Sequence, residues 1–586
     1  MKRYAGILLM MVVFSCTKTT DEDWRTYYEK SNYMETPRYE ETLRYLERLE
    51  KASRWIKVTY FGVSPEGRKM PLVIVDKSGK FTPESARSQN KVVLLVQAGI
   101  HAGEIDGKDA MLMLLRNMAI HQQHTELLDR VTILFMPFFN IDGHERASAY
   151  NRFNQNGPKE MGWRVTSQNL NLNRDYVKAD APEMRDWLKV FNQWLPDMFI
   201  DCHVTDGADY RHAVTYAMDV TQNVAEPVRT WSRDTYLPYM QKAMADSGFP
   251  LSPYVYLIDS KNITSGIIGG SAPPRFSTEY CAIQNRPGLL IETHMFKDYK
   301  TRVTGTYQMI LHTLELLNKE AETLRKVNRD ADEETATSLI GKKLPVSFAL
   351  TQQYDLIEFK GFNYRVVPSE VSGDPKMIVW ENVPIDYKIP YFNYVKDSDV
   401  VDIPYAYIVP KQWTNLIDVL AAQGIVMERL TQNKKLPVTL YRFSNVKWAE
   451  KPFEGRITLD CDVTPAPDTL EFKEGDYVIR MNQRAARVAA FLLEPRSGDS
   501  FVRWGFMNAI FEQKEYGEDY KLEILAREML QDSTMRREYE NQVKSNPVFA
   551  GDYYARLNWF YQRSPYWDKT VNRYPIGKVM KKEDWK

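Results

Sequence analysis

The stretch "KVVLLVQAGIHAGEID", residues 91–106, decides the fold. Its first half, Val92 to Val96, is apolar without polar alternation, which predicts a strand buried on both faces. Its second half leaves the strand and sets His101 three residues before Glu104. A chain with 8 His and 77 Asp or Glu among 586 residues holds about one such pair by chance. Alone, the pair reads better as two polar residues on the turn after a strand. It gains weight only if the other parts of a site occur elsewhere in workable order.

Working outward, four more apolar runs read as strands: "PLVIVDK" (71–77), "VTILFMPFFN" (131–140), "DMFIDCH" (197–203) and "PGLLIETH" (287–294). Between them lie helical patterns, "GKDAMLMLLRNMAIHQQ" (107–123) and "PEMRDWLKVFNQWL" (182–195), and an amphipathic helix is predicted within 37–58. Alternating strands and helices predict an α/β fold, an α/β/α layered domain on a mixed, mostly parallel central sheet. That domain is expected over 37–325. It closes on a helix running through "TGTYQMILHTLELLNKEAETLRKVNRDADEE", whose charged end predicts a linker at 326–339. A β-rich accessory region follows at 340–480, and a mixed, mostly helical C-terminal region at 481–586.

Bulk composition excludes little. Lys+Arg and Asp+Glu balance at 77 each, so nothing points to nucleic acid. The N-terminus is more informative. "MKRYAGILLMMVVFSC" (1–16) has a basic start, an apolar run too short to span a bilayer, and a Ser-Cys end. It resembles a bacterial lipoprotein signal, with Phe14 departing from the usual small residue. The resemblance implies export to the periplasmic or cell-surface face, a lipid anchor at Cys16 and a polar tether over 17–36. Cys202, Cys281 and Cys461 then remain, an odd number that argues against a disulfide framework but leaves one bridge open.

Four apolar strands end in unusual polar residues: His101 and Glu104; Asn140, Asp142 and His144; His203; Glu292 and His294. Ligands of open α/β sheets gather at the carboxyl ends of the strands. His101, Glu104 and His203 would give a catalytic zinc two nitrogens and one carboxylate, with a position left for water. Glu292 would remain as general base. His144 and His294 are rival ligands without an acid partner in a separate preformed corner.

The order His-x-x-Glu, "NIDG", "NLNRDY", a strand ending in His and a strand ending in Glu resembles the zinc metallocarboxypeptidases of the carboxypeptidase A type, over about residues 40–325. The resemblance implies one zinc ion per chain, bound by His101, Glu104 and His203, and Glu292 as the base that activates water. It implies that Asn173 and Arg174 grip the terminal carboxylate of a peptide substrate, a role suited to a bidentate guanidinium. Arg164 resembles the arginine that stabilises the oxyanion, with Arg152 a nearby rival. Two positions depart from the family. Asn171 stands where an Asp commonly supports a zinc-bound His. The substrate-contacting tyrosine has only Tyr280 as its nearest candidate, after a Gly- and Pro-rich stretch (265–280) read as a loop. Arg275 in that stretch could favour acidic side chains, though a surface arginine is the plainer reading.

These residues predict a zinc-dependent peptidase that releases C-terminal residues. A muropeptide amidase or peptidase of the same chemistry, and a non-catalytic peptide- or glycan-binding surface lipoprotein, stay open at this point.

Overall fold

The computed structural model describes residues 23–205, 207–270 and 272–585. The signal segment, Cys16 and the first part of the tether lie outside the described residues. In chain order the strands of the front half are β1 (Ile56–Val63), β2 (Lys69–Val75), β3 (Val92–Ala98), β4 (Val131–Met136), β5 (Met198–Thr205), β6 (Val214–Ala217), β7 (Ser252–Pro253), β8 (Leu257–Asp259), β9 (Asn262–Ile268) and β10 (Gly288–His294). Eight of them form one sheet in the order β1-β2-β4-β3-β5-β10-β6-β7. Its centre, β4-β3-β5-β10, is parallel throughout. The flanks add antiparallel pairs at β1-β2, β2-β4 and β10-β6.

The central strands are buried on nearly every residue because both faces are covered. Leu94, Val96 and Ile200 pack against Met111, Leu115 and Leu314 on one side. Val93, Leu95 and Phe199 pack against Trp187, Leu188 and Tyr280 on the other. Successive strand residues therefore feed two different cores, as the period of two requires. The helix Asp106–Ala119 sits close on the first face. A Cβ at Gly107 would lie 2.5 Å from the Cβ of Cys202 on β5, so only glycine permits this approach.

Several boundaries differ from the sequence reading. The N-terminal helix ends at Ala52 and strand β1 begins at Ile56, within the stretch expected to be helical. The long helix breaks at Glu320 into Tyr299–Lys319 and Ala321–Ser338. Residues 326–339, expected to link two units, continue the second helix, which buries Leu324, Asn328, Ala331 and Thr335. Charge on its outer face imitates a linker. The stretch 265–280 is not one loop either: β9 runs to Ile268 and a helix occupies Ser277–Ile283. Cys202, Cys281 and Cys461 are all buried and free, so the open disulfide is not formed.

The C-terminal half packs on the sheet's second face. Leu416, Leu420, Val488 and Phe491 share one core with Trp187, Phe199 and Tyr280. Its first strands are β11 (Lys343–Leu350), β12 (Asp355–Val367), β13 (Met377–Phe392) and β14 (Val395–Asp402). β13 pairs in parallel with β9 through Tyr391 and Phe392, so the β-rich region joins the strands that precede Glu292. Among the described residues, no helix is long and apolar enough to cross a membrane.

The close approach at Gly107 yields a stability prediction. Gly107→Ala forces apart two buried backbones and is expected to cost about 1–3 kcal/mol. Chemical denaturation followed by tryptophan fluorescence measures it; an unchanged midpoint would show that the helix does not rest on Cys202.

Candidate metal and carboxylate site

Strand ends assemble the site. His203 on β5 and Glu292 on β10 are direct partners in the parallel register, so their side chains leave the same face side by side. β3 delivers the turn that carries His101 and Glu104. Alternation places Asp201 on the face of His203 and sends Cys202 to the opposite one, against Gly107.

His101, Glu104 and His203 lie 4%, 3% and 3% exposed. Each offers one ligand atom, and these atoms lie within 4.8 Å of one another. Glu104 Oε2 is 3.2 Å from His101 Nδ1 and 2.9 Å from His203 Nδ1. The far nitrogens face acceptors: His101 Nε2 lies 3.1 Å from Asn171 Oδ1, and His203 Nε2 lies 2.9 Å from Asp201 Oδ2. Each imidazole therefore carries a proton on Nε2 and turns Nδ1 toward the shared centre. Burial pushes His101 down to about 4, against the pull of Glu104, so its Nδ1 is a bare lone pair facing a carboxylate oxygen. Burial also opposes a charge on His203, but Asp201 and Glu104 on either side outweigh it and hold its pKa well above normal. A cation can take the place of the proton that His203 holds toward Glu104 Oε2 and share the bare Nδ1 of His101. Two imidazoles and a carboxylate fit zinc.

The departure at Asn171 keeps its function in a neutral form. Its Oδ1 meets His101 Nε2 and also accepts from the backbone N–H of Asn173, at 3.1 Å each. The sequence reading missed the partner of the second imidazole. Gln97 Nε2 donates to both Tyr176 Oη and Asp201 Oδ1, and Asp201 in turn holds His203. The i, i+2 spacing of Asp201 and His203 on one strand was the available signal.

Arg164 and Arg152 both reach Glu104 Oε1, at 3.2 and 2.8 Å. They differ in exposure. Arg164 lines the cleft beside the metal centre with its side chain 42% exposed, whereas Arg152 is 14% exposed and is absent from the lining. The "NIDG" stretch works behind this pair. Asn140 caps the helix Ile141–Glu145 through Gly143 N–H and donates to the Arg164 carbonyl.

The cleft measures about 780 Å³ and brings His101, Glu104, His203, Glu292, Arg164, Asn173 and Arg174 onto one surface. Asn173 Oδ1 accepts from Ser277 N–H, and its Nδ2 has no protein partner among the described residues. Arg174 is half-buried, donates to the Asn173 carbonyl at 2.7 Å and stacks 4.1 Å from the centre of the Phe276 ring. No carboxylate forms an ion pair with it among the described residues. Burial and the nearby Arg164 lower its pKa below the usual arginine value.

Four residues that the sequence offered as candidates stand elsewhere. Tyr280 is fully buried in the core; its hydroxyl donates to Gln423 Oε1 and accepts from Gln284 Nε2. It sits on a buried helix rather than a loop, so it does not reach the cleft. The tyrosines that do are Tyr216, Tyr254, Tyr256 and Tyr391. His144 is held by Lys108 and Glu145. His294 is enclosed by the Tyr210 N–H and Asp209 at Nε2 and the Phe296 N–H at Nδ1. Arg275 is tied to Asp499 and stacks on Trp504, which leaves it no role in selecting acidic side chains. Tyr391 and Asn393 come from the β-rich region, and no signal near either residue marks them as cleft residues.

Comparison with known proteins agrees with this geometry. Residues 42–243 match the family described as Peptidase_M14, zinc carboxypeptidase. A carboxypeptidase 2 of Trichophyton rubrum is 22% identical over 467 residues, 76% of this chain and 79% of that protein. One of Trichophyton equinum is 22% identical over 465 residues, 75% of this chain and 78% of that protein. A solved metallo-carboxypeptidase of Pseudomonas aeruginosa, in complex with (2-guanidinoethylmercapto)succinic acid, superposes with a TM-score of 0.36 at 18% identity, covering 49% of this chain and 70% of that one. Residues 42–243 thus carry a zinc carboxypeptidase match, and this match and the relatives together support a zinc-dependent peptidase similar to the carboxypeptidase A type.

Proposed function

We propose that this peptidase is an exopeptidase that removes C-terminal residues from peptides with a free terminal carboxylate. One observation carries the reading: Arg174 lines the cleft half-buried against Phe276, without an ion pair among the described residues, next to the unspent amide of Asn173. A guanidinium in that state matches a planar carboxylate and binds it with two charge-assisted hydrogen bonds.

Zinc, held by His101, Glu104 and His203, supplies Lewis acidity toward water and the scissile carbonyl when bound. The chain's own groups do the rest. Arg174 and Asn173 fix the terminal carboxylate and so place the last peptide bond over the strand ends. Glu292, beside His203, takes a proton from the attacking water and delivers it to the leaving amine as the C–N bond breaks. Arg164 donates to the carbonyl oxygen as negative charge develops there. Asn171 and Asp201 keep the imidazoles oriented.

With a library of paired free and amidated peptides, the zinc-loaded enzyme is expected to release amino acids from free ends and spare the amides. Glu292→Gln is expected to lower kcat by about 10²- to 10⁴-fold while retaining zinc, and a chelator is expected to abolish turnover reversibly. Equal release from both peptide sets would overturn the exopeptidase reading. Zinc binding without hydrolysis of either set would instead favour a binding role.

Arg174→Ala is expected to raise KM for free-ended peptides by about 10- to 100-fold, the scale of a lost charged hydrogen bond. Steady-state kinetics tests this, and an unchanged KM would move the carboxylate grip elsewhere.

Export with lipid on Cys16 is the reading we propose for the N-terminal segment, on its basic start, short apolar run and Ser-Cys end. Cys16→Ser is expected to move the protein from the membrane fraction to the soluble one; an unchanged distribution would argue against a lipid anchor.

A further inference from the structure

We propose that Glu454, from the β-rich C-terminal region, is a positioning residue of the metal and carboxylate site, acting through Asn171. Its Oε2 accepts the backbone N–H of Asn171 at 2.9 Å. Asn171 is the branch point of the site. Its side chain orients His101, and the same oxygen accepts from the N–H of Asn173, so the metal ligand and the carboxylate grip hang on one residue. The role toward the metal is independent of the proposed function, and only the substrate arm rests on that reading.

The turn that presents Glu454 is built for a fixed position. Phe453 and Arg456 exchange backbone hydrogen bonds across it, at 2.9 and 3.1 Å. The two residues between them, Glu454 and Gly455, have φ of 49° and 78°. A two-residue turn with both φ positive favours Asn-Gly or Gly-Gly, and glutamate is a poor choice for its first position. Strain of this kind points to a use for the side chain. The Asn that suits the turn better has one methylene fewer than Glu between the backbone and its acceptor.

The turn is also clamped against the front domain. Arg456 forms a bidentate pair with Asp180, at 2.6 Å for both bonds, and stacks 3.5 Å from the centre of the Phe506 ring. Phe453 stacks on Trp504 at 5.8 Å with the rings 9° apart. Asp180 lies a few residues beyond Arg174 on the same chain segment. The C-terminal region therefore grips the "NLNRDY" segment at its first residue, through Glu454, and again just past its end, through Arg456 on Asp180.

The test uses the zinc-loaded full chain and two readouts: KM against kcat for a free-ended peptide, and the rate of zinc loss to a chelator. Glu454→Ala is expected to raise KM and speed zinc loss, each about tenfold, with kcat changed by less than about threefold. Glu454→Gln keeps the acceptor, loses the charge and is expected to restore both values. Arg456→Ala, which frees the turn from Asp180, is expected to reproduce both changes if Glu454→Ala folds poorly. Wild-type KM and zinc retention in Glu454→Ala would overturn the proposal, as would a Gln variant that behaves like Ala. Should the wild type fail to distinguish free from amidated peptides, the exopeptidase reading falls while zinc loss still decides this one.

Discussion

A carboxylate buried to 3% exposure among two imidazoles and two guanidinium groups is the constraint on which the site depends. Burial alone would raise the pKa of Glu104, but its cationic and hydrogen-bonding neighbours, Arg152 and His203 among them, outweigh burial and hold the carboxyl well below its usual range. Its two oxygens are divided. Oε1 takes Arg152 and Arg164, and Oε2 takes the Val204 N–H and faces both imidazoles. An ionised group this deep is tolerated only when fully partnered. Removing the cation from the Oε2 side leaves acceptors facing acceptors, and a proton on His203 is then the only relief. Metal binding and the local fold are thus one balance of charge, which explains why the loop of Arg152 and Arg164 lies against the turn after β3.

The central sheet was legible in the sequence because burial on both faces leaves strands with no polar alternation to confuse. The metal triad was legible for a related reason. Few residue types bind zinc, and three of them stand at strand ends where a parallel sheet gathers its ligands. Asn171 was readable as a supporter of an imidazole because an amide oxygen accepts as a carboxylate does. Tyr280 misleads because proximity in sequence to Glu292 is not proximity to the cleft. The helix Ser277–Ile283 buries every one of its residues, and its tyrosine points into the core with a glutamine partner. The expected linker misleads because the exposed face of a packed helix carries the same charges as a tether.

The share of the site owned by the C-terminal half leaves no local signal. Tyr391 and Asn393 reach the cleft only because β13 pairs with β9, a contact that spans more than a hundred residues of sequence. Gln423 is similar. Its Nε2 donates to the carbonyls of Tyr176 and Val177, just past the "NLNR" loop, and its Oε1 accepts from Tyr280. A buried amide with three hydrogen bonds across the boundary fixes register more strictly than apolar contact does. The C-terminal half is therefore part of the frame that holds the front domain's loops.

That frame also accounts for the state of Arg174. A half-buried guanidinium normally recruits a carboxylate, and several stand on neighbouring elements. Asp180 is occupied by Arg456 and Lys178, Asp175 by Lys178, and Glu454 by the Asn171 N–H. With these acids engaged, Arg174 is left with a backbone carbonyl and the face of Phe276. Stacking offsets part of the desolvation of the cation without consuming the in-plane N–H groups that a carboxylate would use. The result is a cation whose charge is poorly compensated by protein and whose donors remain directed outward, so an incoming carboxylate meets little competition from internal ion pairs.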